Sequence, residues 1–398
     1  MPAPSWNRTL AVLAVASSVA VSVIYLPQSM LTALAVDLGV APGAASVIAT
    51  AVQIGYAVGI FLFVPLADKI HPKRQVTIQS VALTAALLVS AVMPTVVAVA
   101  LGFLVVGLVA NIAQVLIPVA SSLAPEGRRG STTGTMVGAL LVGIFGGRIV
   151  ASVLVDALGW RWVVALFAAL MLATVPFVRN VLSIDIQPSS PDAGYGSLLA
   201  GTVRLARRSP ELVESAVIQF FVFATFNSFW TVMVLHLTAE PFGWTVLQAG
   251  LFGFVGLAAG VVTPLAGRLI DAYGPLRVVG VGLALLMLAS AAVLADSNVI
   301  VLFGITLFAV TLANQSIQSA NQSRVLAANP GASAQANTLF MVGVFLGGST
   351  GAIFGPLAYQ GGGMVAVAWL AVAFVAASAL AWGVATARQR RRASETVV

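Results

Sequence analysis

Long apolar runs separated by short polar turns fill the chain from residue 9 to residue 387. Most runs reach the ~20 residues that an α-helix needs to cross a hydrocarbon core, whereas barrel strands would alternate over about 10. A spanning segment must pair every backbone N–H and C=O internally, and a helix does so along its own length. The pattern predicts twelve spans, over residues 9–36, 44–66, 75–94, 96–121, 131–155, 161–182, 211–237, 245–270, 277–295, 298–323, 334–357 and 364–387. One connection is long. Across residues 183–209, Pro188, Ser189, Ser190, Pro191, Asp192 and Gly194 read as a turn-rich linker, with 198–208 as a short amphipathic helix on the membrane face. Ser209-Pro210-Glu211 then opens a helix, with Ser as cap, Pro in the first turn and Glu at the positive end of the dipole. The expected fold is an all-α membrane protein, with twelve transmembrane helices in two six-helix pseudo-symmetric bundles. These are residues 1–184 and 210–398, joined by a cytoplasmic linker over 185–209 and ending in a short basic tail.

A polar knot between the second and third runs supports the two halves. Val64-Pro65-Leu66-Ala67-Asp68-Lys69-Ile70-His71-Pro72-Lys73-Arg74 recurs as Gly267-Arg268-Leu269-Ile270-Asp271-Ala272-Tyr273-Gly274-Pro275-Leu276-Arg277, with Asp68 and Asp271 203 residues apart in a chain of 398. A signature repeated half a chain later marks two like halves.

Hydrophobic residues make up 60% of the chain and charged residues 8%, against about 25% charged in a soluble domain. That is too little polar surface to cover a soluble protein. The net charge of +7 would suit nucleic acid, but its placement assigns it to the bilayer. Arg8, Lys69, Lys73, Arg74, Arg128, Arg129, Arg179, Arg204, Arg207, Arg208, Arg268, Arg277, Arg324, Arg388, Arg390, Arg391 and Arg392 fall on one side of the predicted spans. Arg161 stands alone among the loops of the other side, which carry Asp37, Asp156, Glu240 and Asp296. Basic loops stay inside, so both termini are expected in the cytoplasm. The excess of arginine over lysine suits a GC-rich bacterial genome, hence a bacterial inner membrane. Residues 1–20 look like a signal peptide but read as the first retained span, given the runs that follow. No cysteine and two histidines leave no disulfide, thiolate site or metal cluster to expect. No nucleophile–base pair or phosphate loop points to an enzyme, and no cofactor is implied.

Twelve spans, two halves, a mid-chain linker and the G-x-L-x-D-x-x-G knot resemble the major facilitator superfamily over the whole chain. The second knot matches at Gly267, Leu269, Asp271 and Gly274; the first keeps Leu66 and Asp68 but has Val64 and His71 where the family has glycine. Further fragments look like the drug-efflux branch. They are residues 118–130, Gly159-Trp160-Arg161-Trp162, and Gly134, Gly138, Gly143, Gly146 and Gly147, which resemble the antiporter motif of span five. The Gly-Pro pair of that motif is missing, Arg148 follows the glycines, and the arginine expected in span four is absent. The resemblance implies a secondary-active transporter that exports a small drug or metabolite by alternating access, with proton antiport as the family default and a monomer as the unit. A uniporter or importer of the same fold, or a non-transporting membrane sensor or assembly protein, are the alternatives.

The candidate residues serve three roles: gating, substrate binding and a proton site. Asp68, Lys69, Arg74, Asp271 and Gly274 belong to the knots, where Asp68 would face the start of span eleven and Asp271 the start of span five when the cytoplasmic mouth is shut; a solvated turn is the other reading. Gly143 and Gly147 allow a neighbouring helix to approach and slide, or simply to pack. Tyr25, Gln28, Thr32, Gln53, Tyr56, Asn111, Gln114, Asn227, Trp230, Thr231, Asn314 and Gln318 either line a neutral, hydrogen-bonding substrate pocket or bond between helices. Gln28 and Thr32, four apart, are expected on one helix face. Arg148 is the charge inside a span, where insertion costs about 2.5–3.5 kcal/mol. It either anchors an anionic or carbonyl-bearing substrate or bonds helix carbonyls near the outer interface, and an offset of 203 gives it Gly351 as its mate. Asp37 and His236 are the candidates for a proton site, against an ordinary outer-loop acid and a passive interfacial histidine.

Overall fold

The apolar runs fold as helices interrupted wherever proline or glycine breaks the ladder. The computed structural model describes residues 6–125, 129–182, 194–262, 264–295, 299–330 and 332–395. The side chains of Asp68 and Asp271 lie outside the described residues, and with them the expected contacts of the two hinge carboxylates.

The first run splits into α1 (Trp6–Ser22), α2 (Leu26–Ser29) and α3 (Leu31–Asp37). Pro27 has no N–H to give the carbonyl of Val23, so the ladder fails there. Two tighter bonds replace it, from Ile24 N–H to the Val21 carbonyl at 3.3 Å and from Tyr25 N–H to the Ser22 carbonyl at 3.0 Å. α4 (Pro42–Phe63) and α5 (Pro72–Val92) flank the knot, whose 3₁₀ turn is Pro65–Asp68. The Gln75 amide donates to the Phe63 carbonyl at 2.6 Å and ties off the end of α4. α6 (Val96–Val109) starts at Thr95, which caps Ala98 N–H at 3.3 Å. α7 (Ile112–Leu123) follows a break at Ala110 and Asn111. α8 (Arg129–Leu141) passes through a π-helical turn, Val142–Gly146, into α9 (Gly147–Leu158). α10 (Trp160–Val181) and the linker helix α11 (Tyr195–Arg208) follow.

In the second half, α12 (Pro210–Thr238) is continuous. Its Ser209 hydroxyl accepts from Leu212 N–H at 3.4 Å, the expected cap. Next come α13 (Val246–Gly250), α14 (Gly253–Val262), α15 (Pro264–Tyr273), α16 (Pro275–Ala295) and α17 (Ile300–Ala328). α18 (Ser333–Glu395) is broken at Gly362 and Gly363, the latter at φ 61°. Gly274 ends α15 at φ 81°, which is why a glycine stands in the second knot. Its counterpart His71 has φ −58° and caps α5 instead, so no glycine is needed in the first. Among the described residues, nine stretches are long and apolar enough to cross a membrane.

The helices cluster into two compact units, one of residues 1–199, 237–239 and 243–257, the other of 200–236, 240–242 and 258–398. Within the first, glycines let backbones touch. A Cβ on Gly55, Gly59 or Gly107 would lie 2.1 Å from the carbonyl oxygens of Leu104, Leu108 and Val52, so α4 and α6 pack without side chains between them. Likewise a Cβ on Gly143 would meet the Ser18 carbonyl at 2.3 Å, and one on Gly147 the Ser22 Cβ at 2.5 Å. The second unit repeats this crossing: Gly347 against the Phe220 carbonyl at 2.1 Å, Gly351 against that of Ala224 at 2.3 Å. The stripe there runs through Gly343, Gly347, Gly351 and Gly355, all against α12.

Candidate functional site

Arg148 follows the π-turn that opens α9 and is 3% exposed. Its Nη2 donates to Gln28 Oε1 at 2.5 Å, and its guanidinium carbon lies 4.9 Å from the centre of the Tyr25 ring. Both partners come from the broken first run: Tyr25 sits in the break and Gln28 in α2. The bare surface of Gly147 against Ser22 brings α9 close enough for the contact. Gln28 and Thr32 fall in separate helices, α2 and α3, on either side of Met30.

On α4, Gln53 and Tyr56 are both fully buried. Neither end of the Gln53 amide has a hydrogen-bond partner among the described residues. A buried amide left so costs on the order of 1–3 kcal/mol, which a polar group from outside the protein would recover. Thr32 and Thr231 hydroxyls are buried and unbonded in the same way. Asn111 is committed elsewhere: it accepts from the Gln79 amide at 2.8 Å and donates to the Leu108 carbonyl at 2.8 Å, holding the break between α6 and α7. Gln114 is half-buried.

In the second unit the amides bond largely to one another. Gln219 donates to Asn314 at 3.1 Å and accepts from Asn321 at 3.4 Å, joining α12 to α17. Asn227 donates to the Gly348 carbonyl at 2.6 Å, and Trp230 Nε1 to the Thr311 hydroxyl at 3.1 Å. Gln318 is half-buried on α17. These bonds are the interhelical alternative for Asn227, Trp230 and Asn314.

The two proton candidates are both engaged. Asp37 accepts from Trp160 Nε1 and Arg161 Nη2, each at 2.9 Å. Arg161 also donates to the carbonyls of Ala91 at 2.8 Å and Met93 at 3.0 Å and stacks on Trp160. That accounts for the one basic residue on the acidic side. His236 is buried among the rings of Phe242, Phe303 and Tyr359, its Nδ1 3.5 Å from the Tyr359 hydroxyl.

Sequence reasoning missed a cluster at the other end of α12. Glu214 takes Arg324 on one oxygen and Arg388 on the other, both at 2.5 Å, and so ties α12, α17 and the end of α18 together. No local pattern marks Glu214, whose partners stand 110 and 174 residues away. Of the knot residues, Lys69 and Gly274 are half-buried and Arg74 is exposed.

Residues 10–320 and 215–397 match the model of the Major Facilitator Superfamily. The chain is 33% identical over 376 residues to the Streptomyces coelicolor protein named Probable transporter SCO4007, covering 92% of this chain and 86% of that one. It is 28% identical over 376 residues to Uncharacterized transporter YgaY of Escherichia coli O157:H7, covering 94% of both. Its fold is similar to the nucleoside transporter NupG, with a TM-score of 0.72 at 15% identity over 95% of this chain and 99% of that one. The human organic anion transporter MFSD10 gives a TM-score of 0.70 at 16% identity, again over 95% and 99%.

Proposed function

The chain belongs to the major facilitator superfamily, and from that premise we propose that this membrane transporter is a secondary-active exporter of a small organic molecule, drug or metabolite. It works by alternating access between two six-helix halves, twelve spans in all, as a monomer in a bacterial inner membrane with both termini in the cytoplasm. The observation that carries the binding role is the buried set on α2, α4 and α9. Arg148 donates to Gln28 and lies over the Tyr25 ring, and Gln53 offers an amide with no partner among the described residues. A cargo with a carboxylate or carbonyl suits both. Asp68, Asp271 and the glycines at 143 and 147 then set which mouth is open.

Proton antiport is the family default. One observation favours uniport instead. The sequence places its acids at span ends, and Asp37 is already paired with Arg161. Proteoliposome flux with and without a pH gradient separates the two. The cargo comes first, from a thermal-stability screen of compounds at several pH values, since a ligand of the folded state raises Tm. Arg148→Lys should keep part of the binding and Arg148→Ala should lose it. Equal, near-normal transport in both would remove Arg148 from the site.

A further inference from the structure

We propose that the cleft between α5 and α10, at the end of the first unit that carries the knot, binds the phosphate headgroup of an anionic phospholipid. A cavity of 560 Å³ opens there, with His71, Lys73, Arg74, Thr77 and Arg179 as its polar lining and Ile78 and Leu182 as its apolar wall. Three full positive charges share one concave surface. Lys73 and Arg74 stand in the first turn of α5, already the positive end of a helix dipole, and no acidic residue is in that turn. An anion seated between them offsets both the mutual repulsion and the dipole. The ring of His71 accepts at Nδ1 from Lys73 N–H at 3.1 Å, so in its neutral form it carries its hydrogen on Nε2, as a further donor.

The surroundings select a lipid over a soluble anion. Arg74 heads an exposed stripe of α5 that continues at helical spacing through Ile78, Val81, Ala85 and Leu88. On α10, Leu172 and Pro176 lead to Arg179 in the same way. Ile78 is 55% and Leu172 50% exposed, apolar surface that only acyl chains would cover in a membrane protein. The two helices pack side by side, the Thr84 hydroxyl reaching the Ala168 carbonyl at 3.5 Å. A headgroup in the cavity lays its two chains along the two stripes, from which free phosphate gains nothing. Basic pockets between spanning helices are suited to such headgroups. The inference is independent of cargo and of transport direction.

The test is native mass spectrometry of the purified protein equilibrated with mixtures of phosphatidylglycerol and phosphatidylcholine, counting retained lipid. The wild type should retain phosphatidylglycerol preferentially. Arg74→Gln with Arg179→Gln should cut that preference about thirtyfold, the loss of two near-surface basic residues. Arg74→Lys with Arg179→Lys should keep most of it. Arg390→Gln with Arg391→Gln, the same charge change in the tail, should leave it intact. Equal retention of the two lipids by the wild type overturns the proposal, whether or not the variants fold. So does an equal loss in the tail variant, which would make the preference a matter of overall charge. Stabilisation of lipid-free protein by inorganic phosphate to the same extent as by phosphatidylglycerol would also overturn it, in favour of a soluble anion.

Discussion

Truncating Glu214 to alanine should destabilise the second unit by about 3 kcal/mol, a figure that follows from how each of its two ion pairs is exposed. Glu214 and Arg324 side chains retain 10% and 12% exposure, while Arg388 retains 44%. A guanidinium nearly half in water is screened, so the Arg388 pair is worth at most about 1 kcal/mol. The Arg324 pair is buried, and removing one partner of a buried pair costs about 3–5 kcal/mol, because the survivor keeps its desolvation penalty. The surviving Arg324 still has the Ser215 hydroxyl at 3.2 Å, which places the loss at the lower end of that range. Glu214→Gln keeps an acceptor oxygen and should lose about 1–2 kcal/mol. Unfolding in mixed micelles with rising dodecyl sulfate, followed by tryptophan emission, reads these differences. The double variant Glu214→Ala with Arg324→Ala should be more stable than Glu214→Ala alone, since no lone charge stays buried. Added salt should erase the effect of Arg388→Gln and spare that of Glu214→Ala. If Glu214→Ala unfolded within about 0.5 kcal/mol of the wild type, the cluster would contribute no more than an exposed pair and the reasoning from burial would fail.

Two further predictions use the same unfolding assay. Gly143→Ala drives a methyl into the Ser18 carbonyl, 2.3 Å from its ideal Cβ, and should cost about 1–3 kcal/mol. Gly146→Ala meets only Val142 Cγ1 at 3.8 Å and should be near neutral, so equal costs at the two positions would contradict the packing described. Gly274→Ala at φ 81° should cost about 1–2 kcal/mol, whereas His71→Ala, at the matching place in the first knot, loses the capping bond to Lys73 N–H, about 1 kcal/mol.

The helical segments were legible because a bilayer leaves the chain few choices. Apolar length, positive loops and the repeated knot together place them. The break at Gly362 and Gly363 falls where the pattern leaves a gap between its last two runs. Breaks inside runs were harder to see. Pro27 marked the first one, yet a run of 28 apolar-rich residues reads as one span until the N–H that Pro27 lacks is counted against the helical ladder. Polar residues were legible as a class but not in their pairing. Gln219, Asn314 and Asn321 join α12 and α17, while Gln53 joins nothing among the described residues, and composition treats all four alike. Glu214 was invisible because its partners are supplied by helices far along the chain.

The two halves differ at this crossing. The close crossing of α1 with α9 recurs as α12 with α18, yet the sequence of α18 carries no charged residue from Ser333 to Ala387. The break around Tyr25 has no counterpart either, since α12 runs unbroken from Pro210 to Thr238. Charge and break are thus present together in one half and absent together in the other, as they would be if the break exists to turn Tyr25 and Gln28 toward the guanidinium. Pro27→Ala tests this, because it restores the missing N–H and lets α1 continue. The variant should unfold at an unchanged or higher detergent concentration, while affinity for the compound found by thermal screening falls about tenfold or more, the scale of loss that follows small misplacements of binding groups. Combining it with Arg148→Ala should add little, since both act on one cluster. Unaltered affinity in Pro27→Ala would mean that the break serves packing alone.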